Sequence, residues 1–366
     1  MNNNINQLYP IIEFFQEDDP RICELQRIVY PESPVYADPV LAQRFWHWWF
    51  WDMPWKKSRI FGVAAHGAIL GVRPLSFLPV VVDGQEILCG VLNATVTHPG
   101  YRKLGIFSRT LTHTLQVAEQ EEQVGFAISF PNDNSYPLHL KNPKMSALCD
   151  LPLYVKLYNP QIVQKKIPVP IPLVRIGLAC LQKTKRYACP EGIRVSEISY
   201  FDSRFDDLWE RVKHYHRVWI ARTSRYLNWR YTKSPLGGYQ IFAAVHGEEK
   251  IVGYTVVKIE SRFGMRTGLF LDLVTEQGYA NLPEGLVAAG LTWCKEQGAD
   301  ASGCLMLPHH RYVSALRAHG MVRVFDKLAP RKFHVTIARL GREQRLHEHV
   351  CDPRNWYLTW GDTDNV

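Results

Sequence analysis

One order of residues occurs twice in this chain, and nothing else in the sequence limits its fold as strongly. Trp48-x-Phe50-x-x-x-Pro54 matches Trp229-x-Tyr231-x-x-x-Pro235. Ala64-Ala65-His66-Gly67 is echoed by Ala243-Ala244-Val245-His246-Gly247, and Ile69-Leu70-Gly71 by Ile251-Val252-Gly253. Gly90-Val91-Leu92 leading to Val96-Thr97 answers Gly268-Leu269-Phe270 leading to Val274-Thr275, and Phe130-Pro131 answers Leu307-Pro308. The offset starts at 181 residues and drifts to 177, as small loop changes would produce. Matches that keep one order imply two copies of one fold. The 366 residues are long enough for two domains.

Each copy reads as mixed α/β. In the first, a helix is expected near 20–29. Strands at 61–65 and 69–72 flank a His66-Gly67 turn, and 80–82 with 86–96 form a hairpin around Asp83-Gly84. Leu111, Leu115 and Ala118 recur at helical spacing through 108–120, and 125–130 reads as a buried strand stopped by Pro131-Asn132-Asp133-Asn134. The aromatic stretch 45–55 fits core packing at a helix end, with a sugar-stacking or membrane-interface patch as the sharper alternative.

Between the strand and the helix, 97–107 reads Thr-His-Pro-Gly-Tyr-Arg-Lys-Leu-Gly-Ile-Phe. Unpaired N–H groups at a helix start bind phosphate oxygens, aided by the helix dipole. Arg102 and Lys103 add positive charge there, and Gly105 permits a left-handed turn or a close approach. The loop is therefore an anion cradle suited to a diphosphate. At the same place the second copy has 279–285, with Glu284 and no Arg or Lys, so the cradle is assigned to the first copy alone.

The net charge of +8 favours anionic partners, but no basic run with interleaved aromatics marks a nucleic-acid platform. The eight cysteines form no CxxC and no zinc spacing, so reduced thiols and no metal are expected. The polar N-terminus lacks a signal-peptide core and no apolar run reaches the roughly 20 residues of a spanning helix, so a cytoplasmic location is expected. Residues 161–190 carry six Lys/Arg, no Asp/Glu and alternating Pro168, Pro170 and Pro172. They read as a surface linker, with membrane-surface contact as the alternative. The expected units are 1–160, the linker 161–195, a second copy at 196–345, and a tail at 346–366.

Arg102-x-x-Gly105, set between strand and helix, resembles motif A of the GNAT acyltransferases, Q/R-x-x-G-x-G/A, whose loop binds the pyrophosphate of acetyl-CoA. Val96-x-His98-Pro99-x-Tyr101-Arg102 is similar to that family's V-x-P-x-Y-R approach with one residue inserted. The strand at 125–130 falls where the family places its next one, and Asn132 or Asn134 where an Asn often opens the following helix. Phe107 departs from the pattern by filling the final Gly/Ala slot. The resemblance covers about 45–150, and 196–330 more weakly. It implies an α/β fold of two tandem GNAT-like domains, the second degenerate, with acetyl-CoA or another acyl-CoA as co-substrate. Backbone N–H groups of Leu104, Gly105, Ile106 and Phe107 would hold the pyrophosphate, with Arg102 and Lys103 in reach. Ala94, Thr95 and Val96 would lie along the pantetheine, and Asn132 would assist. Direct attack by a primary amine needs no acyl-enzyme. The acceptor implied is a small-molecule amine, an amino sugar or a sugar-linked precursor of surface polysaccharide.

Family members often carry the base on the strand before the loop, but 87–101 has no carboxylate. His98, a water relay through Asn93 or Thr95, and Asp272 remain as bases. Tyr136 and His139 remain as general acids. The competing functions are a catalytically inactive binding or scaffold protein and a Fem-like aminoacyl transferase.

Overall fold

The two-residue turns form where the sequence places them. His66 and Gly67 have φ of 53° and 78°, and Asp83 and Gly84 have φ of 49° and 82°. Both pairs have the positive φ that a type I′ two-residue turn requires, which suits the right-handed twist of the flanking strands. The computed structural model describes residues 9–159, 190–262, 264–327 and 329–363. The linker reading for 161–189 lies outside them.

The strands are β1 (Ile12–Phe14), β2 (Arg59–Ala65), β3 (Ala68–Val82), β4 (Gln85–Leu92), β5 (Val96–Thr97), β6 (Phe126–Ser129), β7 (Met145–Asp150), β8 (Leu153–Leu157), β9 (Ile193–Ile198), β10 (Val218–Ile220), β11 (Tyr239–His246), β12 (Lys250–Arg262), β13 (Met265–Thr275), β14 (Ala301–Leu305), β15 (Val322–Arg323) and β16 (His334–Arg339). They build two mixed sheets. One runs β1-β2-β3-β4-β6-β16-β7, with β5 and β10 also on β3. The other runs β15-β8-β14-β13-β12-β11-β9. In the first, β2 to β4 form an antiparallel meander. The helix Ile106–Gln120 then crosses over so that β6 lies parallel to β4. In the second, β11 to β13 repeat the meander and the helix Leu282–Glu296 brings β14 parallel to β13.

The halves exchange a strand. β8 follows β7 closely in sequence yet leaves the first sheet and pairs with β14. β16 follows β15 yet inserts between β6 and β7. Sheet membership therefore crosses the boundaries drawn from the sequence. Residues 153–157 of the first unit sit in the second sheet, and 334–339 of the second unit sit in the first.

The repeat also packs against itself. Trp48 and Trp229, equivalent positions 181 residues apart, stack with ring centroids 5.2 Å apart at 24°. Each indole N–H donates to the other's carbonyl, at 2.9 and 3.3 Å. Such reciprocity is the mark of an isologous, two-fold contact. Trp46, Trp48, Trp49 and Phe50 are buried, so the aromatic stretch is mainly core. The described cysteines Cys23, Cys89, Cys149, Cys294, Cys304 and Cys351 are unpaired. Among the described residues no helix is long and apolar enough to cross a membrane.

Candidate active site

The strand entering the loop carries a bulge. β4 pairs with β3 as far as Val91 opposite Ser76, and β5 resumes with Val96 opposite Val72. Five residue steps thus oppose four, and Ala94 absorbs the excess with φ of 46°. The parallel pairing of β4 and β6 ends at Leu92 and Ser129. Past that point the strands part, and a cavity of about 280 Å³ opens between them. Asn93, Ala94 and Thr95 form one wall, Ser129 to Asn132 the other, and Phe45 and Trp49 close one side. Gln26, on the helix Asp19–Val29, is 1% exposed and donates from Nε2 to the Ala94 carbonyl at 2.8 Å, which fixes the bulge.

The loop then turns through Pro99–Tyr101, Lys103 at φ 67° and Gly105 at φ 74°, which starts the helix Ile106–Gln120. The first-turn N–H groups of that helix have no intrahelical acceptor. Gly71 lets the helix start lie close on β3, since a Cβ there would sit 2.6 Å from Ile106 Cγ2. Arg102 and Lys103 are exposed beside this terminus.

Phe107, in the slot where a small residue was expected, turns inward. Its ring lies 4.4 Å from the Arg73 guanidinium and 5.4 Å, edge-on, from the His139 imidazole. Arg73 is fully buried and, among the described residues, has no carboxylate partner, reaching Thr110 Oγ1 at 3.4 Å and the Phe107 carbonyl at 3.5 Å. Burial pushes its pKa down to about 9. Arg73 Nη1 and His139 Nδ1 are buried without a hydrogen-bond partner among the described residues. Unpaired helix N–H groups, an uncompensated buried cation and a slot between parted strands fit an anionic cofactor such as acyl-CoA.

The residues singled out in the sequence separate into two groups. Ala94, Thr95, Asn132 and His139 line the cavity, whereas Val96 and the loop 102–107 are not part of its lining. Asn132 Oδ1 accepts from the N–H groups of Asn134 and Ser135, both at 3.0 Å, so it caps a turn. His139 is 3% exposed, and burial, aided by Arg73, pushes its pKa down to about 3, so it is neutral. Tyr136 stacks on His334. His98 is absent from the cavity lining. Its Nδ1 accepts from the Gly100 N–H at 3.2 Å and its ring meets Tyr101 edge-on, so it shapes the loop.

Asp272 is also elsewhere. It directly follows the β13 bulge at Leu271, fully buried in the second half. Arg222 Nε donates to Asp272 Oδ2 at 2.7 Å and Tyr254 to the same oxygen at 3.2 Å. Arg222 Nη2 reaches Asp362 at 2.6 Å. Burial pushes the Asp272 carboxyl up, against the pull of Arg222. For Arg222, burial opposes the charge, but the two carboxylates outweigh it and hold its pKa well above the ordinary value. The tail from Trp356 to Thr363 is buried across this second cleft. Gly361 lies so close that a Cβ would meet Leu271 O at 2.6 Å. The helix Leu282–Glu296 starts at Asn281 with Pro283 and Glu284 in its first turn, which removes an N–H and adds a negative charge. What is a cavity in the first half is filled in the second.

Sequence reasoning missed Gln26, Arg73 and a cluster at the cavity mouth. There, His334 Nδ1 is 2.6 Å from Asp150 Oδ1 and Nε2 is 2.9 Å from Asp133 Oδ1. No local pattern marks His334, because only the exchange of β16 carries it to this site. The absence of a carboxylate on 87–101 was the available signal to look for a base outside the copy.

Residues 15–138 match the sequence profile of the GNAT acetyltransferase domain. No curated protein sequence matches the chain. Among solved structures, it is similar to a conserved protein of unknown function from Enterococcus faecalis (TM-score 0.63, 11% identity, 93% of this chain and 74% of that one). It is similar to a GCN5-related N-acetyltransferase from Anabaena variabilis (TM-score 0.61, 11% identity, 91% and 73%) and another from Kribbella flavida (TM-score 0.52, 11% identity, 90% and 71%). At that identity these likenesses concern the fold, while the profile match concerns the first half. The match therefore concerns a GNAT acetyltransferase domain at residues 15–138.

Proposed function

We propose that the first half is an acetyl-CoA-dependent N-acyltransferase acting by direct transfer to a primary amine. The parting of β4 and β6 at the Ala94 bulge, beside the free helix terminus at Ile106, carries this reading. Bound acyl-CoA would supply an activated thioester. The N–H groups of 104–107, with Arg102 and Lys103, hold a diphosphate. A backbone N–H of the 93–96 stretch, kept in place by Gln26, stabilises the oxyanion that develops on the carbonyl. The aromatic wall of Tyr30, Tyr36, Phe45 and Trp49 suits a ring-bearing acceptor, which favours an amino sugar or a sugar-linked precursor. The filled cleft of the second half supports one cofactor per chain.

Calorimetry with acetyl-CoA tests this. One site per chain is expected, and Arg102→Glu should abolish it by placing a carboxylate against the diphosphate. A Kd weaker than about 1 mM for the native chain would reject the reading. Binding without CoA release across an amine panel would favour a binding protein instead.

A further inference from the structure

We propose that His334 is the general base of the first-half site, contributed by the second half through the exchanged strand β16. The assignment rests on the acyl-transfer reading above. His334 is 6% exposed and lines the same cavity as Asn93, Ala94, Thr95 and Ser129. Three elements hold it. Asp150 on β7 lies 2.6 Å from Nδ1, Asp133 in the turn after β6 lies 2.9 Å from Nε2, and Tyr136 stacks flat on the ring at 3.9 Å and 11°. Lys332, two residues earlier on the same segment, lies 3.7 Å from Asp150 Oδ2, and Arg331 lines the cavity beside it.

The two carboxylates have different roles. A ring nitrogen facing a carboxylate oxygen must carry a proton, or two lone pairs oppose each other. Both nitrogens face one here, so the arrangement is that of the loaded ring, with Nδ1–H on Asp150 and Nε2–H on Asp133. The base form arises when the more exposed Asp133 side chain turns away and Asp150 keeps the N–H on Nδ1, which leaves Nε2 as the site of proton exchange. When Nε2 is loaded, it donates to Asp133. The Asp133 side chain is 60% exposed, so it gives the proton a route to solvent.

The reaction balances on this scheme. An acceptor ammonium gives one proton to His334 Nε2 and becomes the free amine. The amine nitrogen bonds the acyl carbon, the C–S bond breaks, and the departing thiolate takes the second proton from that nitrogen. The proton held on His334 leaves through Asp133. No separate general acid is needed, which accounts for a buried, neutral His139 and for a Tyr136 whose ring face is used for stacking.

Other candidates are accounted for. His98 caps its own loop, and Asp272 is locked to Arg222. In the second half, β8 pairs with β14 as β16 pairs with β6, and by that register Pro152 stands where His334 stands. The filled cleft thus also lacks a base.

The test uses the full chain with acetyl-CoA and, as probes, glucosamine, galactosamine and UDP-glucosamine. His334→Gln should lower kcat/KM by about 10²–10⁴-fold for the amine used fastest, with the calorimetric Kd for acetyl-CoA unchanged. Its pH profile should lose the acid limb of the native rate. Asp150→Asn should keep an acid limb but displace it, a readout that a purely structural loss would not give. It also serves if His334→Gln does not fold. Equal kcat/KM and an intact acid limb in His334→Gln, or an unmoved limb in Asp150→Asn, overturns the assignment alone. Failure of the native chain to use any of the three amines overturns the acyl-transfer reading and this assignment with it.

Discussion

Replacing Arg222 with Met isolates the energetics of the second half's filled cleft. The guanidinium has 1% of its side chain exposed, and both partners, Asp272 and Asp362, have none. Methionine fills similar volume but leaves two buried carboxylates without a counter-charge. Tyr254 and Tyr357 still donate to Asp272, and the Thr359 N–H still donates to Asp362, so some solvation persists. Breaking a buried pair from one side costs about 3–5 kcal/mol, and that loss is expected at pH 8. The pH dependence follows from the sign of the shift. With the cation gone, burial and the neighbouring Asp362 carboxylate raise the folded-state pKa of Asp272 above the unfolded value of about 3.9. A raised folded pKa means that the folded variant takes up a proton as pH falls. Its deficit is therefore largest at pH 8 and shrinks as pH drops through that folded pKa. Urea unfolding of variant and native chain at pH 8 and pH 5.5 measures both quantities. A deficit below about 1 kcal/mol, or one that does not shrink at the lower pH, would refute the reasoning.

Two further outcomes follow from the first half. Gln26→Leu should lower kcat about fivefold, the equivalent of one hydrogen bond of about 1 kcal/mol, with the acetyl-CoA Kd unchanged. A change in Kd alone would show that Gln26 does not act through the Ala94 carbonyl. His139 is held neutral with a pKa of about 3, below the unfolded value of about 6.5, so the unfolded chain takes up a proton first as pH falls. That residue costs up to about 1.4 kcal/mol of stability per pH unit between those values. His139→Leu should flatten the loss of stability between pH 6.5 and 4.5 by that amount, and an unchanged slope in urea midpoints would remove His139 as its source.

Local chemistry made the first half legible. Gly residues at the turns, the spacing of Leu111, Leu115 and Ala118, and Arg102 with Gly105 mark a strand, loop and helix that the chain adopts with shifts of a few residues at the ends. The duplication was legible because Trp48 and Trp229 are constrained by one contact that each makes with the other. The bulge was not, since Ala94 has a side chain that gives no sign of a positive φ. Nor was Phe107's inward turn, which depends on Arg73 arriving from β3. Asp272 looked like a catalytic carboxylate in an apolar run because sequence spacing does not show that Arg222 and the tail converge on it. His334 was the least legible, because the residues that give it a role, Asp133 and Asp150, belong to the other copy.

The strand exchange imposes a schedule on synthesis. β6 emerges beside β4 with its other edge bare, and the strand that covers it, β16, begins some 200 residues later. At the usual 5–20 residues per second the gap lasts about 10–40 s. Throughout it, an apolar edge strand whose residues are all buried in the finished protein stands open to pairing with any other chain. On a polysome the nearest chains are copies of this one, each soon to release a β16 of its own. Faithful folding is thus a competition between a chain's own late strand and its neighbour's. Belonging to one covalent chain favours the former through the high local concentration it imposes.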